Sequence, residues 1–185
     1  MPENCSFDLS FRAFAQRIRV LYAMKIVFYV LLSLLAFQAA AGSRQAQSGV
    51  VTRVVDGDTV WVKTSGNPAL KVRIQGIDAP EICQPDGVQA RDALKRRVLW
   101  QSVTVTSGAH DDYGRTVGKL HLQGQDMGRW LVAQGHAWVY SYRPTKGPYA
   151  EELRQAQSAR RGIFMNIAAE EPRLFRKRHG PCSPH

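Results

Sequence analysis

Acidic residues are scarce in this chain: 15 Asp+Glu stand against 25 Lys+Arg, a formal net charge of +10 on 185 residues. With a pI near 10.0, that shortage leaves an anionic partner, whether nucleic acid, acidic lipid or acidic polysaccharide, and charge alone does not choose among them. Cysteine is scarcer still, at three, and too scattered for a strong zinc-ligand pattern. Unbroken helical sequence is missing as well, since nine prolines and fifteen glycines exclude a long coiled coil or a collagen-like rod. There are no internal repeats and no low-complexity tracts, and the length suits one domain.

Charge of either sign is absent from Ile26 to Ala41, and Ile26–Phe37 is almost wholly apolar. Lys25 precedes that run, and Ala39, Ala40, Ala41 and Gly42 follow it. A positive flank, an apolar core and a small-residue exit are the three parts of a secretory signal, with cleavage placed after Ala41. An uncleaved anchor is the competing reading, because the run approaches the lower limit for spanning a bilayer. Met24-Lys25 would itself open a compact signal peptide, so residues 1–23 are either an over-long start or an extended n-region carrying Arg12, Arg17 and Arg19. Removing residues 1–41 takes away four bases and two acids, and leaves 144 residues with a charge of +8. The basic character therefore belongs to the folding part. The expected localisation is secreted or periplasmic, with no stable membrane association after cleavage.

The same cut removes Cys5 and leaves Cys83 and Cys182 as a lone pair. In an exported protein such a pair most often forms a disulfide, here tying the C-terminus to the loop after Glu81. The rival reading is metal ligation together with His179, spaced His-x-x-Cys.

Residues 42–48 read as a linker. Val50–Val55 is β-branched and ends in the turn Asp56-Gly57-Asp58; Thr59–Lys63 and Leu70–Ile77 follow as strands, completing a three-stranded meander. Ala79-Pro80 opens a loop to Gly87, and from Val88 to Trp100 the apolar residues recur at helical spacing. Val103–Thr106 and Val117–Leu122 read as further strands around a polar loop, Ser107–Arg115. Asp126 is placed to cap a helix stopped by Gly135; Ala137–Tyr142 is extended, and Tyr149–Arg161 is a last amphipathic helix. Beyond Asn166 the chain reads as basic and irregular. The fold expected is α+β and mainly β: a five-stranded OB-fold barrel with about three helices.

The informative residues are acids in a basic domain. Asp58 ends the first turn and Asp78 ends the third strand, so neighbouring strands would bring both carboxylates to one rim. Two carboxylates with a backbone carbonyl and waters suit a hard divalent cation. Taken singly, each is as well read as a turn or a loop start. Arg73 and Arg115 add guanidinium forks suited to phosphate oxygens, and Glu81 supplies a carboxylate for orienting or deprotonating water. The plainer readings are a strand-end salt bridge for Arg73 and a solvated loop charge for Arg115.

The segments Val55-Asp56-Gly57-Asp58-Thr59-Val60, Arg73-Ile74-Gln75-Gly76-Ile77-Asp78-Ala79-Pro80-Glu81 and Asp112-Tyr113-Gly114-Arg115 resemble the signature blocks of the staphylococcal nuclease (thermonuclease) family. The likeness runs from about Val50 to about Asn166. It implies an OB-fold domain over 49–166, followed by a basic tail (167–185) tethered by Cys182. It also implies Ca²⁺-dependent cleavage of DNA and RNA, with Mg²⁺ or Mn²⁺ as lesser candidates, by a monomer that prefers single strands. By matching positions, Asp58, Asp78 and the Ala79 carbonyl would hold the cation, and Arg73, Glu81 and Arg115 would be catalytic. Asp56 would stand behind the metal ligands. Tyr113, Tyr140 and Tyr142 would form the nucleotide pocket, stacking bases with little sequence preference; Trp138 reads equally as a core residue. Three departures stand out: Ala79 where relatives often have Thr, a short Ile82–Gly87 loop containing Cys83, and Phe164 where Trp is frequent. A non-catalytic binding module of the same fold would be expected to have lost some of the five residues Asp58, Asp78, Arg73, Glu81 and Arg115. A membrane-surface or cell-wall protein would leave all five unexplained.

Overall fold

The chain's β-branched runs pair around a closed barrel. In the computed structural model, which describes Lys25 and residues 45–65, 68–140, 147–180 and 182, β1 is Gln45–Val54, β2 Thr59–Thr64 and β3 Leu70–Ile74. β4 is the two-residue Ile77–Asp78, and α1 (Gly87–Val98) crosses to β5 (Ser102–His110) and β6 (Thr116–Leu122). β7 (Gln125–Asp126) leads into α2 (Met127–Ala133); β8 (Trp138–Val139), α3 (Ala150–Ser158) and α4 (Pro172–His179) complete the order. β3, β2, β1, β5 and β6 lie side by side, and a β3–β6 pairing closes the ring. That closing pair is parallel while the others are antiparallel, so the barrel is mixed. Closure removes the exposed strand edges that would otherwise recruit other chains.

Alternation along the strands fills the interior. Val51, Val60, Val62, Val72, Ile74, Val103, Val105 and Leu120 all point inward and are buried. α1 caps one opening with Ala90, Leu94 and Val98, and α2 adds Met127, Leu131 and Val132. The Asp126 side chain accepts the Arg129 N–H at 3.2 Å, capping α2 as its position before Met127 requires. Asp126 also accepts the Tyr149 hydroxyl at 2.8 Å, which fixes α3's entry to the α2 start. Trp138 meets Phe164 edge-on at 4.9 Å beside Ile163 and Ala156, so its ring packs rather than stacks in a cleft.

Four boundaries differ from the sequence reading. Gln45–Ser48 is not a linker: it leads β1 and pairs with Thr104–Ser107 of β5. Its polar composition carries no strand pattern, and the partner strand recruits it. β5 likewise extends to His110 through a register shift between Ser107 and Ala109, so the polar loop shrinks to the residues after it. The third strand stops at Ile74, because Gly76 takes φ +81, a left-handed turn that glycine adopts at little cost. Asp78 therefore sits on the separate strand β4, paired with Trp138 of β8. The C-terminal segment, read as irregular, contains α4, which starts at Pro172 and ends before Gly180 at φ +74. A disulfide joins Cys83 to Cys182.

Candidate active site

Register places the acidic residues. Thr59 lies opposite Arg73 in the β2–β3 pair, so Asp58, one residue before β2, meets the guanidinium of β3. The Ile74 N–H donates to the Asp58 carbonyl at 2.8 Å, which locks that approach. Gly57 lets the turn lie flat on its neighbours: a Cβ there would stand 2.6 Å from the Ala79 Cβ and 2.9 Å from the Ala90 Cβ. Asp58 and Asp78 are consequently buried, with 5% and 3% exposure.

Every oxygen of this pair is committed. Asp58 Oδ1 accepts the Thr59 hydroxyl at 3.0 Å, and Oδ2 accepts the Ala79 N–H at 2.9 Å. The same Oδ2 is ion-paired with Arg73 Nη1, while Arg73 Nη2 donates to Asp78 Oδ1 at 2.9 Å. One guanidinium thus bridges two carboxylates twenty positions apart in sequence. Burial works against the Arg73 charge, but Asp58, Asp78 and Asp56 outweigh it and hold its pKa above the usual arginine value. Asp56 stands behind the pair, its carboxylate accepting the Asp58 N–H at 3.0 Å. Burial first, and then the Asp58 charge, push the Asp56 carboxyl up to about 7.

Glu81 is fixed by the loop that follows it. Gln84 is buried; its side-chain oxygen accepts the Glu81 N–H at 3.2 Å, and its amide donates to the Glu170 carbonyl at 2.8 Å. On the opposite wall, Asp111 organises Arg115. Its Oδ1 accepts the N–H groups of Tyr113 and Arg115, and its Oδ2 accepts Arg115 Nε at 2.7 Å. Slight burial raises the Asp111 pKa, but the bonds from Arg115 and Tyr113 prevail and lower it below the ordinary carboxylate value. The Arg115 guanidinium also lies over the Tyr113 ring at 5.4 Å.

These residues share one open cleft of about 910 Å³, lined by Asp56, Asp58, Arg73, Ala79, Glu81, Asp111, Tyr113, Arg115, Tyr140 and Arg176. Asp78 lies buried behind this lining, bonded to Arg73 and Arg176, which face the cleft. Tyr113 is 84% exposed and Tyr140 47%, so both rings border the cleft with accessible faces. Tyr142 lies outside the described residues.

Two contributors were not singled out in the sequence. Asp111 directly precedes the Asp112-Tyr113-Gly114-Arg115 block, and an Asx turn was the signal for it. Arg176 arrives from α4: Nη1 and Nη2 donate to the two oxygens of Asp78 at 3.1 and 2.9 Å, and Nη1 also donates to Glu81 at 2.8 Å. Pro172 and Gly180 mark that helix, but nothing local in it points to the cleft.

The donor set bears on which cation fits. Among the described residues no group of three or more His, Cys, Asp or Glu side chains is gathered for a metal. The acidic donors gathered here are oxygens: Asp58 at the cleft and Asp78 buried beside it, with backbone carbonyl and water to complete a shell. Hard Ca²⁺ or Mg²⁺ suits that chemistry, and zinc, which favours nitrogen and sulfur ligands, does not.

Residues 71–166 match the family model described as staphylococcal nuclease homologue. An uncharacterized endonuclease of Escherichia coli O157:H7 is 34% identical over 131 residues, covering 70% of this chain and 85% of that protein. An uncharacterized endonuclease of Haemophilus influenzae is 31% identical over 138 residues, covering 75% and 78%. A micrococcal nuclease of Shigella flexneri is 34% identical over 140 residues, covering 70% and 80%. With this barrel, this cleft and these relatives, the chain is a nuclease and belongs to the staphylococcal nuclease family.

Proposed function

We propose that this nuclease is exported, depends on a divalent cation, with Ca²⁺ preferred, and hydrolyses phosphodiester bonds of DNA and RNA with little sequence preference. The observation that carries the reading is the junction of Asp58, Asp78, Glu81 and two arginines at one cleft in an otherwise basic domain. Asp58 and Asp78, with the Ala79 carbonyl, would hold the cation, which when bound polarises the phosphate and neutralises its charge. Glu81 receives a proton from water as the water oxygen bonds to phosphorus. The ester P–O bond on the opposite side breaks, and the departing oxygen takes a proton from solvent, leaving a phosphate monoester and a free hydroxyl. Arg73 and Arg115 hold the charge that builds on the non-bridging oxygens. Asp111 keeps Arg115 aimed. Tyr113 and Tyr140 offer ring faces to unpaired bases, with Tyr142 the third tyrosine the resemblance implies, which favours single strands over duplex.

Export rests on the N-terminal pattern, and the Cys83–Cys182 bridge supports it, because such bonds persist in oxidising compartments. We propose a monomer, free of the membrane after cleavage following Ala41.

The test is a cleavage assay on single-stranded and duplex DNA and on RNA, with Ca²⁺, Mg²⁺, Mn²⁺ or chelator. Cleavage with Ca²⁺ that is faster on single strands and stops on chelation is expected. Absence of cleavage with all three cations would overturn the proposal.

A further inference from the structure

The C-terminal helix reaches back into the cleft. α4 lies beyond the matched region, which ends at residue 166, and its Arg176 makes a two-pronged contact with Asp78 and a further bond to Glu81. The Asp78 side chain is 5% exposed and the Arg176 side chain 30%, so this pair is shielded enough for charge-assisted bonds to hold. Burial opposes the Arg176 charge, but its bonds to Asp78 and Glu81 prevail and raise its pKa well above the usual arginine value.

Three anchors hold the helix in place. The Cys83–Cys182 bridge ties its far end to a residue two positions after Glu81. The Gln84 amide binds the Glu170 carbonyl just before the helix, and Arg178 pairs with Glu170. The first two anchors and the arginine thus engage the same short segment that carries Glu81.

We propose that Arg176 is a positioning residue that acts as a built-in counterion for Asp78 and Glu81, competing with the divalent cation for Asp78. The proposal rests on the cation reading given above. A guanidinium that donates to both oxygens of Asp78, one of them already shared with Arg73, competes with a cation for their lone pairs, and a divalent cation at Asp78 would repel the guanidinium. Loading therefore requires Arg176 to leave Asp78, and the cost of breaking its bonds weakens cation affinity. The tethered helix sets how readily it leaves.

The experiment is calorimetric titration of the purified, oxidised protein with Ca²⁺, which reads affinity without any turnover. Arg176→Gln is expected to tighten Ca²⁺ binding by about tenfold, the effect of roughly one net hydrogen bond. Arg176→Lys, a point charge without the fork, should fall between. Arg173→Gln removes the same charge from the same helix at an exposed position that neither lines the cleft nor anchors the helix, and should leave affinity within about twofold. Cys182→Ser should shift affinity in the same direction as Arg176→Gln, and should add nothing when combined with it. Unchanged or weaker Ca²⁺ binding in Arg176→Gln, with thermal unfolding in chelator showing a folded protein, would overturn the proposal. If Arg176→Gln fails to fold, Arg176→Lys and Cys182→Ser decide in its place. Absence of Ca²⁺, Mg²⁺ or Mn²⁺ binding in every protein, wild type included, would instead sink the cation reading itself.

Discussion

Arg73 stands across the β2–β3 pair from Thr59, and this single register relation puts its guanidinium between Asp58 and Asp78. Three acids, Asp56 included, surround one buried base. The strand pairing that builds the barrel is therefore also what assembles the cleft.

Arg73→Ala should strip that neutralising charge and leave the carboxylates facing one another. Removing one member of a buried pair costs about 3–5 kcal/mol. The melting temperature in chelator should fall accordingly, and added Ca²⁺ should restore part of it. Cleavage should fall by roughly 10²–10³, the scale for losing one donor to transition-state charge. A variant as stable as wild type in chelator would contradict the bridging role.

Glu81→Gln keeps the shape of the side chain and removes its capacity to take a proton. Turnover should fall by orders of magnitude while retention of single-stranded DNA is maintained. Kinetics alongside a filter-binding measurement separates the two effects; near-normal turnover would remove Glu81 from the chemistry.

Asp56 gives the domain a pH dependence. Its folded-state pKa is raised to about 7 from 3.8, so the native state holds a proton that the unfolded chain has released. Stability from this group is greatest below about pH 4 and is lost as pH rises toward 7. His136 acts oppositely: burial, and then the Arg96 charge, lower its pKa below 6.5, so its contribution is present above that value and lost in acid. Asp56→Asn isolates the first effect. In chelator, wild type should lose roughly 2 kcal/mol relative to Asp56→Asn between pH 4 and 7, after discounting for partial exposure. Parallel pH profiles for the two proteins would show that Asp56 titrates normally.

Asp111→Ala should release Arg115 from the bonds that orient it. A drop in kcat of about tenfold is expected with little change in stability, since the group lies near the surface. Partial rescue by Asp111→Asn, which keeps an oxygen for the backbone N–H groups, would separate aiming from loop collapse. If kcat held while the melting temperature fell, Asp111 would be a structural residue alone.

The disulfide spans 99 positions. Closing so long a loop stabilises by up to about 4–5 kcal/mol in the chain-entropy account. Reduction should lower the melting temperature by several degrees, and Cys83→Ser should match it without reductant.

How much was legible follows from which signals are local. Asp58, Asp78, Arg73, Glu81 and Arg115 sit in short segments whose turn chemistry and spacing are written in consecutive residues, so they are legible there as candidates. The barrel strands with β-branched alternation, and the helix capped by Asp126, were equally plain. Gln45–Ser48 was not, because a polar strand owes its existence to β5 and not to its own pattern. Arg176 was hidden for a stronger reason: a basic helix reads as a solvated tail until its target is known.

The sequence by itself determined the chemistry available: oxygen donors for a hard cation, arginines for phosphate, and a lone pair of cysteines to bridge. Periodicity and turn residues are properties of neighbours along the chain, so they survive without a fold. Tertiary structure alone decided that Asp78 sits on a strand of its own paired with Trp138, and that Arg176 lies on Asp78 and Glu81. Those contacts join residues up to 98 positions apart, and only closure of the barrel with its tethered helix brings such side chains within hydrogen-bonding reach.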